Sequence, residues 1–435
     1  MVRQFLAVAL ILLTLAPAPA DDVFPAGSTD RVTMQSEADQ PILASFLKHV
    51  DGAVARLTPE AVAKIEQVED ICWIWSRYAE MPLVAFELTG DAKYLDSFVK
   101  GMESLLTRLN RGPDGILGFR GLPLPLFRDK DNPTAQIEVD ISEFEVVHLI
   151  CRFVEQVDAA PSLKHIHGDS AARLLDIAEN HLAGQKWEER ELFMDLGTRG
   201  AVFRMPAECG NDRDHLTNPH NKQSKMCRAY LALYRVTGKD AYFRKAIQLG
   251  ARFKHMLRLD GEYYRWNYWD PAGDWDRRND NPEQWKHWIG PEHRSGYHAL
   301  TVAMAAALYD HGVVFNRTDM QRFVNTQMQV CWNGSLESPV FRNTGGKPMD
   351  AAMVAPALAR FEPLVWEFCY GQRASLERLK RRDHPWQGGV NSIDYLTGKY
   401  LVSRTAEPTR ARYRQQFTQN PENAAFLKQI ESKFE

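Results

Sequence analysis

The chain of 435 residues lacks a large net charge, since 53 Lys and Arg stand against 56 Asp and Glu and leave a formal charge of -3. A nearly neutral protein has no overall field for nucleic acid or an anionic membrane, so a polyanion would have to be bound by local basic residues. Its six cysteines are scattered, without the paired spacing of a zinc site. We therefore expect no nucleic-acid partner, no metal and no cofactor, and we assign no disulfide.

Familiar catalytic motifs are absent as well. The sequence has no HExxH, no glycine-rich phosphate loop and no GxSxG elbow, which argues against a metalloprotease, a nucleotide-binding enzyme and an esterase. Its apolar run at residues 5–16 is too short to span a bilayer comfortably. Arg3 precedes this run and Ala18-Pro19-Ala20 follows it, as in a secretory signal peptide. We predict a signal peptide over residues 1–20 and an exported protein, periplasmic or secreted, without a membrane span in the mature chain.

Helical periodicity is what the sequence has in abundance. Apolar residues recur at helical spacing in residues 61–88, 94–109, 141–157, 171–182, 222–236, 242–257, 296–310 and 319–330. Short strands are predicted only near residues 201–203 and 262–266. No flexible tether divides the mature chain, so residues 21–435 are predicted to form a single, predominantly α-helical domain.

Two segments repeat one helix-turn-helix pattern. The sequence Leu-Thr-Gly-Asp around Gly90 and the sequence Val-Thr-Gly-Lys around Gly238 each separate two helical segments, and an aromatic residue follows each glycine at the same distance. A glycine at this place is typical of a helix C-cap, which here indicates a short helical hairpin. Repeated hairpins must stack to bury their apolar faces.

Residues 262–298 form an unusual stretch in which Tyr and Trp alternate with charged and amide residues. Flat rings beside polar groups suit a cleft that stacks sugar faces and hydrogen-bonds their hydroxyls. A long surface loop pinned to the body by its own aromatics is the alternative. The irregular segment 112–133 is either a lid or cleft wall, or structural padding.

Two polar clusters precede helices. Residues 208–221 read ECGNDRDHLTNPHN, and residues 292–298 read EHRSGYH. Helix capping would account for Asn218, Asn221 or Ser295. It does not account for His220, or for His, Arg and Tyr occurring together in the second cluster.

With the hairpin pattern, which extends over much of the mature chain, the two clusters resemble α/α toroid polysaccharide lyases that act on uronic acids, such as alginate and chondroitin lyases. Within that group the chain is most similar to polysaccharide lyase family 38, which includes alginate and glucuronan lyases. Some of these lyases have adjacent Asn and His, whereas Pro219 separates Asn218 from His220 here, so either Asn218 or Asn221 is the matching residue. The resemblance implies an all-α fold, an α/α toroid or barrel of helical hairpins with minor β-strands, and lyase activity on an acidic polysaccharide.

Uronate β-elimination removes the C5 proton and expels the group at O4, so the neighbouring carboxylate must be neutralised by aimed donors. On this chemistry Tyr297 transfers the proton, and His220 is a second base or orients the carboxylate. Arg294 and Asn218 neutralise the carboxylate. The predicted substrate-binding residues are Trp266, Tyr268, Trp269, Trp288, His293 and Asn221, and the alternative catalytic tyrosines are Tyr263, Tyr264 and Tyr268.

The sequence is also compatible with other function classes. A toroid glycoside hydrolase would use paired carboxylates, for which the candidates are Asp140, Glu143, Glu145, Asp212, Asp214 and Glu292. A sugar epimerase would use histidines such as His293 or His298. A glycan-binding protein without activity would need only the aromatic residues.

Overall fold

The computed structural model describes residues 40–112, 114–206, 213–335, 338, 340–349, 353–366 and 407–434. The predicted signal peptide lies outside the described residues, as do residues 208–212 of the first polar cluster. The helices are α1 (Gln40–Val54), α2 (Pro59–Val62), α3 (Ser76–Thr89), α4 (Lys93–Leu106), α5 (Asp140–Asp158), α6 (Pro161–Ile177), α7 (Lys186–Glu189), α8 (His220–Thr237), α9 (Asp240–Met256), α10 (Ser295–Asp310), α11 (Arg317–Asn325), α12 (Pro363–Trp366), α13 (Glu407–Thr418) and α14 (Pro421–Glu431).

The strands are short and lie in the connections between helices. They are β1 (Leu109–Arg111), β2 (Leu117–Gly121), β3 (Ile137–Glu138), β4 (Phe193–Asp195), β5 (Ala201–Phe203), β6 (Arg258–Asp260), β7 (Tyr263–Arg265), β8 (Phe341–Arg342) and β9 (Pro348–Met349). Strands β1, β2 and β3 form an antiparallel sheet, and the others pair as hairpins. Strands β5 and β7 confirm the two positions at which the sequence predicts short strands.

The helices form two layers. Helix α5 packs between α3 and α8, and α8 packs between α5 and α10, while α4, α6 and α9 pack behind α3, α5 and α8. Helices α5 and α8 are buried on nearly all sides, whereas α4 and α9 bury one face only, as expected for an inner and an outer layer. This arrangement of helical hairpins confirms the predicted all-α fold class and α/α toroid architecture.

The two Thr-Gly turns have the same structure. Gly90 ends α3 and Gly238 ends α8, with φ angles of 70° and 69° and N–H groups that donate to the carbonyls of Phe86 and Tyr234. In each turn the threonine hydroxyl donates to the carbonyl four residues earlier. Since only glycine adopts this left-handed conformation at little cost, the turns confirm the predicted helical hairpins α3–α4 and α8–α9.

The helix predicted over residues 61–88 is wrong in its first half. Helix α2 ends at Val62, and the next helical turn is a π-helical turn, Ile71–Trp75, that leads into α3. Between them Val68 N–H donates to the Leu122 carbonyl at 2.9 Å, and Leu122 N–H donates to the Glu66 carbonyl at 3.0 Å. The backbone leaves the helix because it pairs with the segment that follows β2, a contact that periodicity cannot reveal.

Among the described residues, the main hydrophobic cluster contains side chains from Phe46 to Ile430, and a second, small cluster contains Cys331, Trp332, Phe341 and Met353. A single domain over residues 21–435 stays a prediction. Four cysteines are free and buried, namely Cys72, Cys151, Cys227 and Cys331. No helix in the described ranges is long and apolar enough to cross a membrane.

A buried ion cluster joins the outer connections to α5. The Lys186 ammonium donates to the carboxylates of Glu138 and Glu143 and, at 3.2 Å, to the carbonyl of Leu117 in β2. Glu138 also lies 3.2 Å from Arg190 Nη1. These contacts hold β2, β3, α5 and α7 together, so Glu143 has a structural role and is not a free carboxylate for hydrolysis.

Candidate active site

The inner helices begin at the same end of the toroid, and the polar residues around these ends contact each other. Lys222 Nζ at the start of α8 lies 3.1 Å from Glu69 Oε1, just before the turn that leads into α3. The rings of Trp73 and Tyr297 lie 6.1 Å apart, which brings the beginning of α10 to the same place. Helix N-termini carry partial positive charge, so this end of the fold favours anionic groups. We call the region around these residues the candidate site.

Arg294 and Tyr297 meet at the beginning of α10. Arg294 is the N-cap residue, with extended backbone angles, and its Nη1 donates to Tyr297 Oη at 3.3 Å. Tyr268 stacks on Tyr297 with a centroid distance of 5.6 Å and an interplanar angle of 20°. Tyr297 is thus fixed between Tyr268 and Trp73 with its hydroxyl beside a cation, at the spacing of one helical turn that the sequence predicts.

The alternative tyrosines have other environments. Tyr264 is buried, its hydroxyl donates to Asp319 Oδ1 at 2.5 Å, and burial raises its pKa to about 12. Tyr263 lies on the β6–β7 hairpin, where Asp260 accepts from its hydroxyl at 3.3 Å. Burial raises the pKa of Tyr268. These environments favour Tyr297 over Tyr263, Tyr264 and Tyr268 as a proton-transferring residue.

His220 is the first residue of α8, but its ring lies towards the outer layer. It packs 5.1 Å from the ring of Phe253 in α9, and its Nε2 lies 3.0 Å from Asp270 Oδ2. Burial disfavours the charged form of Asp270, yet the hydrogen bonds from His220 and Asn267 and the charges of His220 and Arg252 together outweigh burial and lower the Asp270 pKa. Because an ionised carboxylate only accepts, Nε2 carries the proton and Nδ1 is the basic nitrogen.

The two asparagines of the first cluster differ in their contacts. Asn218 is buried, and its amide nitrogen donates to Asp140 Oδ2 at 2.6 Å. Asn221 lies one helical turn before Lys225, and its Oδ1 is buried without a hydrogen-bond partner in the part of the chain that the structure describes. Neither side chain caps α8, whose N-cap is Pro219. Asn218 Oδ1 is likewise buried without a partner among the described residues, so the two side chains differ only in that the Asn218 amide nitrogen is already bound to Asp140.

Several residues of the candidate site are not recognisable from the sequence. Trp73 donates to Glu69 Oε2 at 3.0 Å, and the Lys225 ammonium lies 5.3 Å above its ring. Lys225 also pairs with Glu145 Oε2 at 2.8 Å, so Glu145 is not free either. Lys222 and Lys225 stand three residues apart on α8, a spacing that also suits an ordinary solvated helix face, so only the fold reveals that they are buried.

Two predicted sugar-stacking residues are wrong. Trp266 and Trp269 are both 0% exposed. Trp266 stacks on His298, and Trp269 donates to the Thr217 carbonyl at 2.7 Å. His298 is itself fully buried, so it does not face a substrate as an epimerase histidine would. These residues pack the loop onto the body, as in the alternative interpretation of the aromatic stretch.

Other members of the stretch do face solvent. Trp288 is 51% exposed, and its ring meets His293 edge to face at 5.3 Å. His293 in turn contacts Tyr268 at 5.6 Å. Burial lowers the pKa of His293, so it is neutral at physiological pH. Trp288, His293 and Tyr268 thus form a continuous aromatic surface that leads to Tyr297.

Two buried carboxyl groups have strongly raised pKa values. Burial raises the pKa of Asp140 to about 7, with Lys222 opposing the shift and Glu69 adding to it. Burial likewise raises the pKa of Glu292 to about 7. Groups that titrate near neutral pH suit acid–base chemistry, although structural clusters also perturb pKa values.

The segment 112–133 borders the candidate site through Phe127, whose ring lies 5.2 Å from the Arg213 guanidinium and 5.3 Å from the Lys222 ammonium. These contacts place Phe127 beside the candidate site, and the choice between a lid or cleft wall and structural padding stays a prediction. Within the described ranges, no group of three or more His, Cys, Asp or Glu side chains is placed to hold a metal ion.

No protein-family model and no curated protein matches the chain. Among solved structures, it is similar to an inactive variant of the alpha-1,6-mannanase GH76A of Salegentibacter sp. in complex with alpha-1,6-mannotriose, with 10% identity, a TM-score of 0.40 and coverage of 86% of this chain and 99% of that one. It is also similar to D-mannose isomerase, with 13% identity, a TM-score of 0.40 and coverage of 78% and 88%. At this level the similarity carries no argument about activity, which has to come from the side chains of the candidate site.

Proposed function

We propose that the protein is a polysaccharide lyase that cleaves a uronic-acid polysaccharide of the alginate or glucuronan type by β-elimination. The observation that carries this proposal is the 3.3 Å contact between Arg294 Nη1 and Tyr297 Oη at the N-terminal end of α10. When Tyr297 takes the C5 proton, the C5–H electron pair forms the C4–C5 double bond, the C4–O4 bond breaks, and the phenol so formed protonates O4. The base form of Tyr297 is therefore the phenolate, with negative charge on its oxygen. A guanidinium at hydrogen-bond distance stabilises that charge.

Neutralisation of the substrate carboxylate is the second requirement of the reaction. Arg294 is exposed and remains charged at any working pH. The amide role stays open between Asn218 and Asn221, which are both buried beside the site, and of these the Asn218 amide nitrogen is bound to Asp140. The beginnings of α8 and α10 add partial positive charge on the same side. His220 is proposed to stabilise the start of α8 with Asp270 and to orient the site rather than to be a second base.

Substrate sugars would bind along the aromatic surface. Trp288 offers an exposed ring, and Tyr268 and Trp73 flank Tyr297. Ring faces of this kind bind the apolar faces of sugars, while charged neighbours bind their carboxylates and hydroxyls. Export by a signal peptide remains part of the proposal, because a polysaccharide of this kind is met outside the cytoplasm.

A second candidate is a glycoside hydrolase, which one specific observation favours. Asp140 has a pKa raised to about 7 by burial and lies close enough to Glu69 for that carboxylate to add to the shift, while Lys222 pairs with Glu69. A carboxyl group with a raised pKa beside a second carboxyl group is the arrangement that acid-assisted glycoside hydrolysis uses.

One assay separates the candidates. The mature protein is incubated with a panel of mannuronate, guluronate and glucuronate polymers, and the ultraviolet absorbance of the unsaturated product is followed together with new reducing ends. A lyase produces both signals, and a hydrolase produces reducing ends alone. Glycan binding without either signal would indicate a binding protein. Interconversion of free sugars would indicate an epimerase. Arg294→Ala, which removes the guanidinium, is the matched control, and its rate of unsaturated product formation should fall well below that of the wild type.

A further inference from the structure

We infer that Glu292 is a positioning residue that holds Arg294 within reach of Tyr297, an inference that rests on the proposed function. Glu292 is 0% exposed, so it cannot touch the polymer directly. Its carboxylate Oε1 accepts from the backbone N–H groups of His293 at 2.9 Å and Arg294 at 3.2 Å. It therefore fixes the peptide planes from which the Arg294 side chain departs.

The backbone on the other side of Glu292 is anchored as well. Its N–H donates to the Trp266 carbonyl at 3.5 Å, and its own carbonyl accepts from Thr344 N–H at 3.3 Å. The Thr344 hydroxyl also donates to the Trp266 carbonyl, at 2.9 Å. Because Trp266 belongs to the buried core, Glu292 connects the N-cap of α10 to a rigid part of the fold.

The buried carboxylate of Glu292 carries a cost to the fold. Its second oxygen, Oε2, is buried and has no hydrogen-bond partner among the residues described here. Burial raises the Glu292 pKa to about 7 even though Arg294 and two backbone donors act in the opposite direction. The ionised form is therefore costly to the fold. A glutamine would offer the same acceptor to the backbone without that cost.

A double-mutant cycle tests the inference, with kcat and KM measured for Glu292→Ala, Arg294→Ala and the double variant on the polymer that the protein cleaves. We expect Glu292→Ala to lower kcat/KM on the order of 10²-fold, as small displacements of catalytic groups do. In the Arg294→Ala background the same substitution should cost no more than about twofold, within the error of such cycles. Glu292→Gln should retain most of the wild-type activity, because the glutamine carbonyl oxygen accepts the same hydrogen bonds from the backbone.

Asp319→Ala is the matched structural control. Asp319 is likewise a buried carboxylate at a helix N-terminus, that of α11, and accepts from Asn316 N–H at 2.8 Å. Its removal should lower Tm and leave kcat/KM unchanged. The same result for Glu292→Ala, or an equal loss in both Arg294 backgrounds, would overturn the inference.

Failure of the proposed function and failure of the positioning role of Glu292 give different experimental results. A wild-type protein without activity on any polyuronate would refute the lyase proposal. A crystal structure of Glu292→Ala then decides on positioning. An Arg294 guanidinium displaced from Tyr297 Oη supports the role of Glu292, and an unchanged contact of 3.3 Å refutes it.

Discussion

Tyr297→Phe is the substitution that separates chemistry from stability most clearly. It removes one hydroxyl and keeps the ring, so the stacking on Tyr268 and the contact with Trp73 remain. The lost hydrogen bond from Arg294 is exposed and 3.3 Å long. We therefore expect the free energy of unfolding to fall by less than about 1 kcal/mol.

The expected effect on turnover is much larger. Loss of a group that transfers a proton in the transition state costs about 10²–10⁴-fold in kcat, which corresponds to about 2.7–5.4 kcal/mol of activation free energy. KM should change little, because the phenyl ring and the neighbouring cation still meet the substrate. The two free energies thus differ by more than the error of either measurement.

Initial rates of unsaturated product formation measure the change in activation free energy, and urea unfolding measures the change in the free energy of unfolding. The matched control is Tyr263→Phe, since Arg265 Nη2 donates to Tyr263 Oη at 3.2 Å and its guanidinium lies 5.4 Å from the ring. This pair on the β6–β7 hairpin has nearly the same geometry as Arg294 and Tyr297. A folded Tyr297→Phe protein with near-normal kcat would refute the assignment, and a collapse in Tyr268→Phe would move the role to that residue.

Three further outcomes are expected. Burial raises the Asp140 pKa from 3.8 to about 7, so its contribution to stability falls as the pH rises from about 4 to about 7 and is constant above. Asp140→Asn should therefore flatten the dependence of Tm on pH in that window, and an unchanged slope would contradict the argument. Lys186→Met removes the cation that bonds both buried carboxylates, while Glu138 keeps its contact with Arg190; the substitution should cost about 3–5 kcal/mol of unfolding free energy in urea, and a cost below about 1 kcal/mol would contradict this. Trp269→Ala empties a fully buried site and should cost about 3–5 kcal/mol of stability, whereas the exposed Trp288→Ala should mainly raise KM; the reverse pattern would return Trp269 to the substrate site.

The sequence predicts the helical architecture well because its signals are local. A C-cap glycine and a threonine that bonds back four residues act within one turn, and Gly90 and Gly238 confirm both hairpins. The break before α3 escapes prediction because it depends on the pairing of Val68 with Leu122, which lies far along the chain.

The aromatic stretch shows why the site is harder to predict than the fold. Alternation of aromatic and polar residues indicates a solvent-exposed surface only if the polar side chains are themselves solvated. Here Asp276 is itself buried and accepts from Thr217 N–H at 2.8 Å and from the Thr217 hydroxyl at 2.7 Å. Such residues stabilise the inside of the loop, and Trp269 is buried with them. No local sequence pattern distinguishes such a buried loop from the lining of a cleft, because Thr217, the partner of Asp276, lies far away in the sequence.

The Lys186 cluster and the polar residues at the beginnings of α8 and α10 are both buried, but they differ in their contacts. In the Lys186 cluster the cation bonds two carboxylates and a carbonyl and is 2% exposed, and Glu138 Oε2 is buried without a hydrogen-bond partner among the described residues. Unpaired oxygen atoms also lie at the beginnings of α8 and α10. Oxygen atoms of Asn218, Asn221 and Glu292 stay buried and unpaired within the described part of the chain. Because unpaired atoms occur in both clusters, they do not by themselves mark a site. Glu292 also bonds the backbone of the exposed Arg294, and this contact with a side chain that reaches solvent is what distinguishes the candidate site from the Lys186 cluster.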